Sequence, residues 1–233
     1  MIKKTLFTLI AFMFIWTLKS QETGENNFGS WFMLFAKHKV SEKFSIHSEI
    51  QYRTYEFGSN FNQLLLRAGL NYHFATNATA TVGYGYIATD GTFVEMEGEE
   101  NSVENRIYEE FSLNNSVGKF KFGHRYRLEQ RFINNPLTGN DTQHRMRYLL
   151  RVTYPINEQW FLTAYDELFI NLQEPIFGQN RLYGAIGYNF SKNVSTQVGY
   201  LKNHFTGVNY DRFQIGFWID TDFRKKGNEN IRD

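Results

Sequence analysis

Apolar and polar residues alternate with a period of two for ten to fourteen residues at a time, and this constrains the chain more than any other feature. From 44 to 55 one face reads Phe44, Ile46, Ser48, Ile50, Tyr52, Thr54, and the other Ser45, His47, Glu49, Gln51, Arg53, Tyr55. From 63 to 74, Leu64, Leu66, Ala68, Leu70, Tyr72 and Phe74 oppose Gln63, Arg67, Asn71 and His73. In 119–132, Phe120, Phe122, Tyr126 and Leu128 oppose Lys121, Arg125, Arg127, Glu129 and Arg131. In 143–154, Met146, Tyr148, Leu150 and Val152 oppose Arg145, Arg147 and Arg151. Such alternation marks strands with two unlike faces, and these runs exceed the roughly five or six residues of a globular strand. They match the roughly 9–11 residues with which a tilted strand crosses a bilayer.

Eleven segments carry the pattern: 28–38, 44–56, 63–74, 79–89, 105–114, 119–132, 143–154, 159–170, 181–190, 194–203 and 209–220. Short connections at 39–43, 75–78, 115–118, 155–158 and 191–193 alternate with longer polar ones at 57–62, 90–104, 133–142, 171–180 and 204–208. That order predicts an all-β fold, a closed antiparallel transmembrane β-barrel with short periplasmic turns and longer extracellular loops. Single-chain bacterial barrels have even strand numbers, so about twelve strands are expected, with ten as the alternative.

The aromatic residues, 18% of the chain, bear on the choice between a membrane and a soluble barrel. Phe44, Phe74, Phe120, Tyr154, Trp160 and Phe190 fall beside the short turns, and Phe57, Tyr86, Phe132, Phe169, Phe205 and Tyr210 fall at the opposite ends. Two such sets read as girdles at the two headgroup layers. A soluble, lipocalin-like barrel would turn the apolar face inward instead, and would leave rings at both rims without a role.

The mean hydropathy of -0.48 excludes a bundle of spanning helices but not a barrel, in which half of each strand is polar. With no cysteine, disulfides, thiol catalysis and thiolate metal sites are excluded. A net charge of +1 gives no sign of a nucleic-acid partner. Residues 1–20 read as a cleavable signal peptide: Lys3 and Lys4, an apolar stretch from Thr5 to Leu18, then Ser20. The expected organisation is therefore a signal peptide at 1–20, a barrel at 21–223 and a polar C-terminal tail at 224–233. Loss of Lys3, Lys4 and Lys19 would take the net charge from +1 to -2.

The segments FGSWFMLFAKHKVSEKFSIHSEIQYR, HRYRLEQRF and RFQIGFWID resemble a family of Bacteroidota outer-membrane barrels, the domain of unknown function 2490. The likeness spans nearly all of the chain beyond the signal peptide. It implies an outer-membrane location and a closed antiparallel barrel, and it implies no reaction.

If the apolar face meets lipid, the lumen receives Arg53, Arg67, Arg106, Arg125, Arg127, Arg131, Arg145, Arg147, Arg151, Arg181 and Arg212. Facing them are Glu49, Glu110, Glu129, Glu167 and Asp220, with Glu129 expected opposite Arg147 as a cross-strand pair. Two readings follow. The charges form a salt-bridged, hydrated plug, or they line a small anion-preferring channel or binding barrel.

A hydrolase acting on membrane lipid is the competing function. His144 and Asp166 are its weak candidates, both on the lipid-facing parity, but no serine lies near them. No metal-ligand spacing, phosphate loop or nucleotide fingerprint is present, so no metal or cofactor is expected. Outer-membrane lipid, lipopolysaccharide and small anionic solutes are the partners expected.

Overall fold

The computed structural model describes residues 24–94, 98 and 100–224; the signal-peptide segment and most of the polar tail lie outside the described residues. Eleven strands make up the fold: β1 (Phe28–Lys39), β2 (Phe44–Glu56), β3 (Ser59–Ala75), β4 (Ala78–Thr89), β5 (Ser102–Val117), β6 (Phe120–Asn135), β7 (Gly139–Pro155), β8 (Trp160–Asn171), β9 (Phe177–Asn189), β10 (Val194–Phe205) and β11 (Val208–Asp222). Each pairs antiparallel with its sequence neighbours, and β1 pairs with β11 to close the barrel.

The expected count of twelve is corrected to eleven among the described residues. An even number is needed only where the closing pair is antiparallel. Here β1 and β11 run parallel, in continuous register from Phe28↔Asp211 to Lys39↔Asp222. Evenly spaced parallel hydrogen bonds seal the barrel as completely as antiparallel ones. The seam is reinforced by His38 Nδ1 against Thr221 Oγ1 at 2.6 Å and by Phe35 stacked on Trp218 at 4.8 Å. Beyond the end of β11, Arg224 donates to both Asp222 and Glu42, clasping β11 to the turn after β1.

Strands also extend into most segments read as long loops. The connection after β2 is 57–58, that after β6 is 136–138 and that after β10 is 206–207, while β4 and β5 remain widely separated in sequence, Thr89 from Ser102. Glycine explains the tightness: Gly58 and Gly207 take positive φ values of 76° and 82° in two-residue hairpins, and Gly139, at the start of β7, takes 84°, a conformation that an L side chain resists.

The faces are disposed in the membrane-type sense. Phe32, Ile50, Leu70, Tyr84, Met146, Leu182 and Phe217 all point outward and are exposed, while Glu49, Arg67, Arg127, Glu129, Arg147 and Glu167 are buried within. The lipocalin-like arrangement, with the apolar face inward, is therefore not the one adopted. Phe44, Phe74, Phe120, Trp160 and Phe190 are exposed beside the short turns as expected. At the other rim Phe57 and Phe132 are exposed, but Phe169, Phe205 and Tyr210 line the interior. Those three were expected in a girdle; they take the inward parity of β8, β10 and β11 instead.

Candidate functional site

The interior is a cavity of about 660 Å³, lined from Asn62, Thr89 and Ile133 toward one rim to Lys37 and Asp220 toward the other. All eleven arginines expected in the lumen line it. Glu49, Glu110, Glu167 and Asp220 line it too, and Glu129 is fully buried in its wall. Sequence reasoning missed Glu104, which sits on β5 within the stretch read as an acidic loop. Its even-numbered parity with Arg106 and Glu110 on β5 is the signal that could have found it. Eleven guanidinium groups thus meet six carboxylates.

These charges are not spread evenly. On the wall formed by β5–β8 they form a closed circuit. Glu104 binds Arg106 (2.6 Å) and Arg131 (2.8 Å), and Arg106 reaches Glu129 at 3.4 Å. Glu129 accepts from Arg145 (2.6 Å) and Arg147 (2.7 Å), and Arg147 passes on to Glu167 at 2.6 Å. Glu167 also takes Arg125 at 2.6 Å; Arg125 approaches Glu110 at 3.8 Å, and Glu110 holds Arg127, which returns to Glu129 at 3.8 Å. Glu129 lies directly opposite Arg145, and the ion pair with Arg147 expected from sequence is the diagonal one. Burying so many charges is tolerable only because each carboxylate meets two or more donors.

Tyr108 props this wall. Its side chain is fully buried, its hydroxyl donates to the Ala68 carbonyl at 3.3 Å, and Arg67 and Arg127 lie 5.3 and 4.8 Å over its ring. The ring crosses Gly69 and Gly83, which are paired in register. A Cβ at Gly83 would fall 2.3 Å from the phenol carbon and oxygen, so these strand glycines make room for a ring.

The opposite wall, from β9 through β11 to β1 and β2, has a different chemistry. Arg53, Arg181 and Arg212 have no carboxylate within 4.0 Å among the described residues, and neither does Arg151 on β7. Glu167 is in register with Arg181 but gives its oxygen to Arg125 and Arg147. Arg53 is held by neutral acceptors, Gln51 Oε1 from Nε at 3.0 Å and Gln63 Oε1 from Nη1. Arg212 donates to the Asn27 and Asp211 carbonyls at 3.2 and 3.0 Å. Aromatic faces take the place of acids: Arg53 lies 3.8 Å over Trp31, and Arg181 lies 4.9 Å over Trp31 and 4.6 Å over Phe169.

The weak catalytic candidates are not brought together. His144 and Asp166 are both exposed on the outer face, but Asp166 pairs with Leu150, six positions along β7 from His144. That separation is about 20 Å at the usual strand rise. Asp166 accepts instead from Asn180 Nδ2 at 3.1 Å. Lys202 and Asp211, also on the outer face, pair with one another at 2.9 Å. No group of His, Asp and Glu suited to a metal ion occurs among the described residues.

Comparison with known proteins places the chain as follows. The family described as "Protein of unknown function (DUF2490)" matches residues 28–214. No curated protein matches. Among solved structures, a NanC porin in a rhombohedral crystal form is similar with 10% identity and a TM-score of 0.49, over 75% of this chain and 85% of that one.

Proposed function

The chain belongs to the DUF2490 family of proteins of unknown function, and on the geometry of its own barrel we propose that it is an outer-membrane component whose lumen binds and passes small anions. One observation carries the reading: a predominantly apolar exterior encloses an interior with eleven guanidinium groups and six carboxylates. An exterior of large exposed apolar side chains around a whole barrel is unsuited to water and suited to hydrocarbon. Closed barrels with outward apolar bands and aromatic rims are the form in which strands cross a bilayer. Within, an excess of arginine favours anions over cations at close range, because guanidinium stays charged and offers paired donors to planar oxyanions.

The same proposal takes residues 1–20 as an export signal removed after Ser20, with outer-membrane lipid and lipopolysaccharide around the barrel. The Bacteroidota origin implied by the sequence resemblance belongs with it. A salt-bridged plug describes the β5–β8 wall well; on the other wall Glu49 and Asp220 are taken by Arg67 and Lys37, which leaves Arg53, Arg181 and Arg212 to solutes.

Single-channel recording of the refolded protein in a planar bilayer tests the proposal. Discrete conductance with a reversal potential toward that of chloride supports it; a cation-selective pore, or no conductance at all, overturns the channel reading.

A further inference from the structure

Resting on the anion reading of the lumen, we propose that Trp31, Arg53 and Arg181 form a recess for one class of ligand, a small hydroxy-carboxylate. Trp31 on β1 lies in register between Arg53 on β2 and Gln214 on β11. Arg53 stacks 3.8 Å from its ring and Arg181 reaches in from β9 to 4.9 Å. Two cations share one indole and neither has a carboxylate within 4.0 Å among the described residues, so neither makes a direct ion pair; Glu49 is reached from Arg53 only through Gln51. The glutamines that hold Arg53 orient its fork without neutralising it.

Unmet hydrogen bonds around this spot specify the ligand further. Four groups that can donate have no partner in the protein: Trp31 Nε1, Arg181 Nε, Gln214 Nε2 and the hydroxyl of Tyr183, which packs against Trp31. Two acceptors nearby are also unmet, Gln179 Oε1 and Asn203 Oδ1. Asn203 is in register with Arg181, and Gln179 lies two residues before it on the same inward face. Trp31, Gln179, Asn203 and Gln214 are all at least nine-tenths buried. Groups buried without partners carry a free-energy penalty that a matching ligand relieves.

Chloride would answer the donors and leave both acceptors unmet. Hydrogen phosphate carries an O–H as well, but its tetrahedral oxygens fit a planar guanidinium fork less closely than a carboxylate does, and the titration separates the two. A carboxylate bearing a hydroxyl supplies a planar anion for the guanidinium forks and an O–H for an amide oxygen beside Arg181, so it answers both kinds of group. The cavity of about 660 Å³ is ample for such a molecule.

Calorimetric titration of the refolded protein with lactate, propanoate and inorganic phosphate tests this. Propanoate is lactate without its hydroxyl. Lactate is expected to bind at least about tenfold more tightly than propanoate and phosphate, and R53Q or R181Q to weaken it by about tenfold or more. Lys202→Gln, on the outer face, is expected to bind as the parent does. Heat-modifiable gel migration checks that each variant is folded, and Trp31→Phe, which keeps a ring and removes the N–H, serves if an arginine variant does not fold. Absent lactate binding, equal binding of propanoate, or affinity unchanged in the folded variants overturns the recess. Because binding is read without conductance, an anion-selective pore that ignores lactate defeats this inference alone, whereas a cation-selective pore defeats the lumen reading beneath it.

Discussion

The two walls of one lumen use the same residue for opposite ends. On β5–β8 every inward arginine but Arg151 is locked to a carboxylate, and Glu129 alone serves Arg106, Arg127, Arg145 and Arg147. On β9, β11 and β2, Arg181, Arg212 and Arg53 face neutral amides, carbonyls and rings. A guanidinium that is paired contributes architecture, since its charge is spent on a neighbour. An unpaired one keeps its field available to a solute. Counting arginines therefore says little about a lumen until the carboxylates are placed among them.

The largest effect that could break this comparison is expected from E129Q. Removing one carboxylate leaves four guanidinium groups facing one another in a buried site, a loss of about 3–5 kcal/mol. Urea unfolding of the refolded barrel measures it, and a change under 1 kcal/mol would show that the circuit is not structural. Gly83→Ala comes next, because its methyl would strike the Tyr108 ring that spaces Arg67 from Arg127. A cost of about 1–3 kcal/mol is expected in the same unfolding assay. Least is expected from R181Q: with no carboxylate to orphan, its stability should stay within about 1 kcal/mol of the parent. A loss as large as that of E129Q would erase the distinction between the walls.

Much of this was legible because strand parity is strict. Once the apolar residues of 143–154 were set outward, Arg145, Arg147 and Arg151 had to point in, and the same parity placed Arg53, Arg67, Arg125 and Arg127. What parity does not carry is register and closure. The distance between His144 and Asp166 depends on how β7 slides against β8, and the partner opposite Glu129 depends on the β6–β7 turn. Closure by a parallel β1–β11 pair leaves no local mark, so strand number was misjudged even though all eleven segments were visible. Glu104 was hidden by its neighbours: the acidic run before it reads as loop, and β5 begins only at Ser102. Phe169, Phe205 and Tyr210 were misplaced because a ring near a rim suits either a headgroup layer or an arginine face.

The division of labour between the walls is tested most directly by one reversal-potential measurement. The refolded parent and an R53Q/R181Q double variant are compared in planar bilayers under a tenfold KCl gradient. The parent is expected to reverse near the chloride potential and the double variant to lose most of that preference. Undiminished chloride selectivity in the double variant would contradict the account, since the paired arginines of β5–β8 would then be the ones acting on the solute.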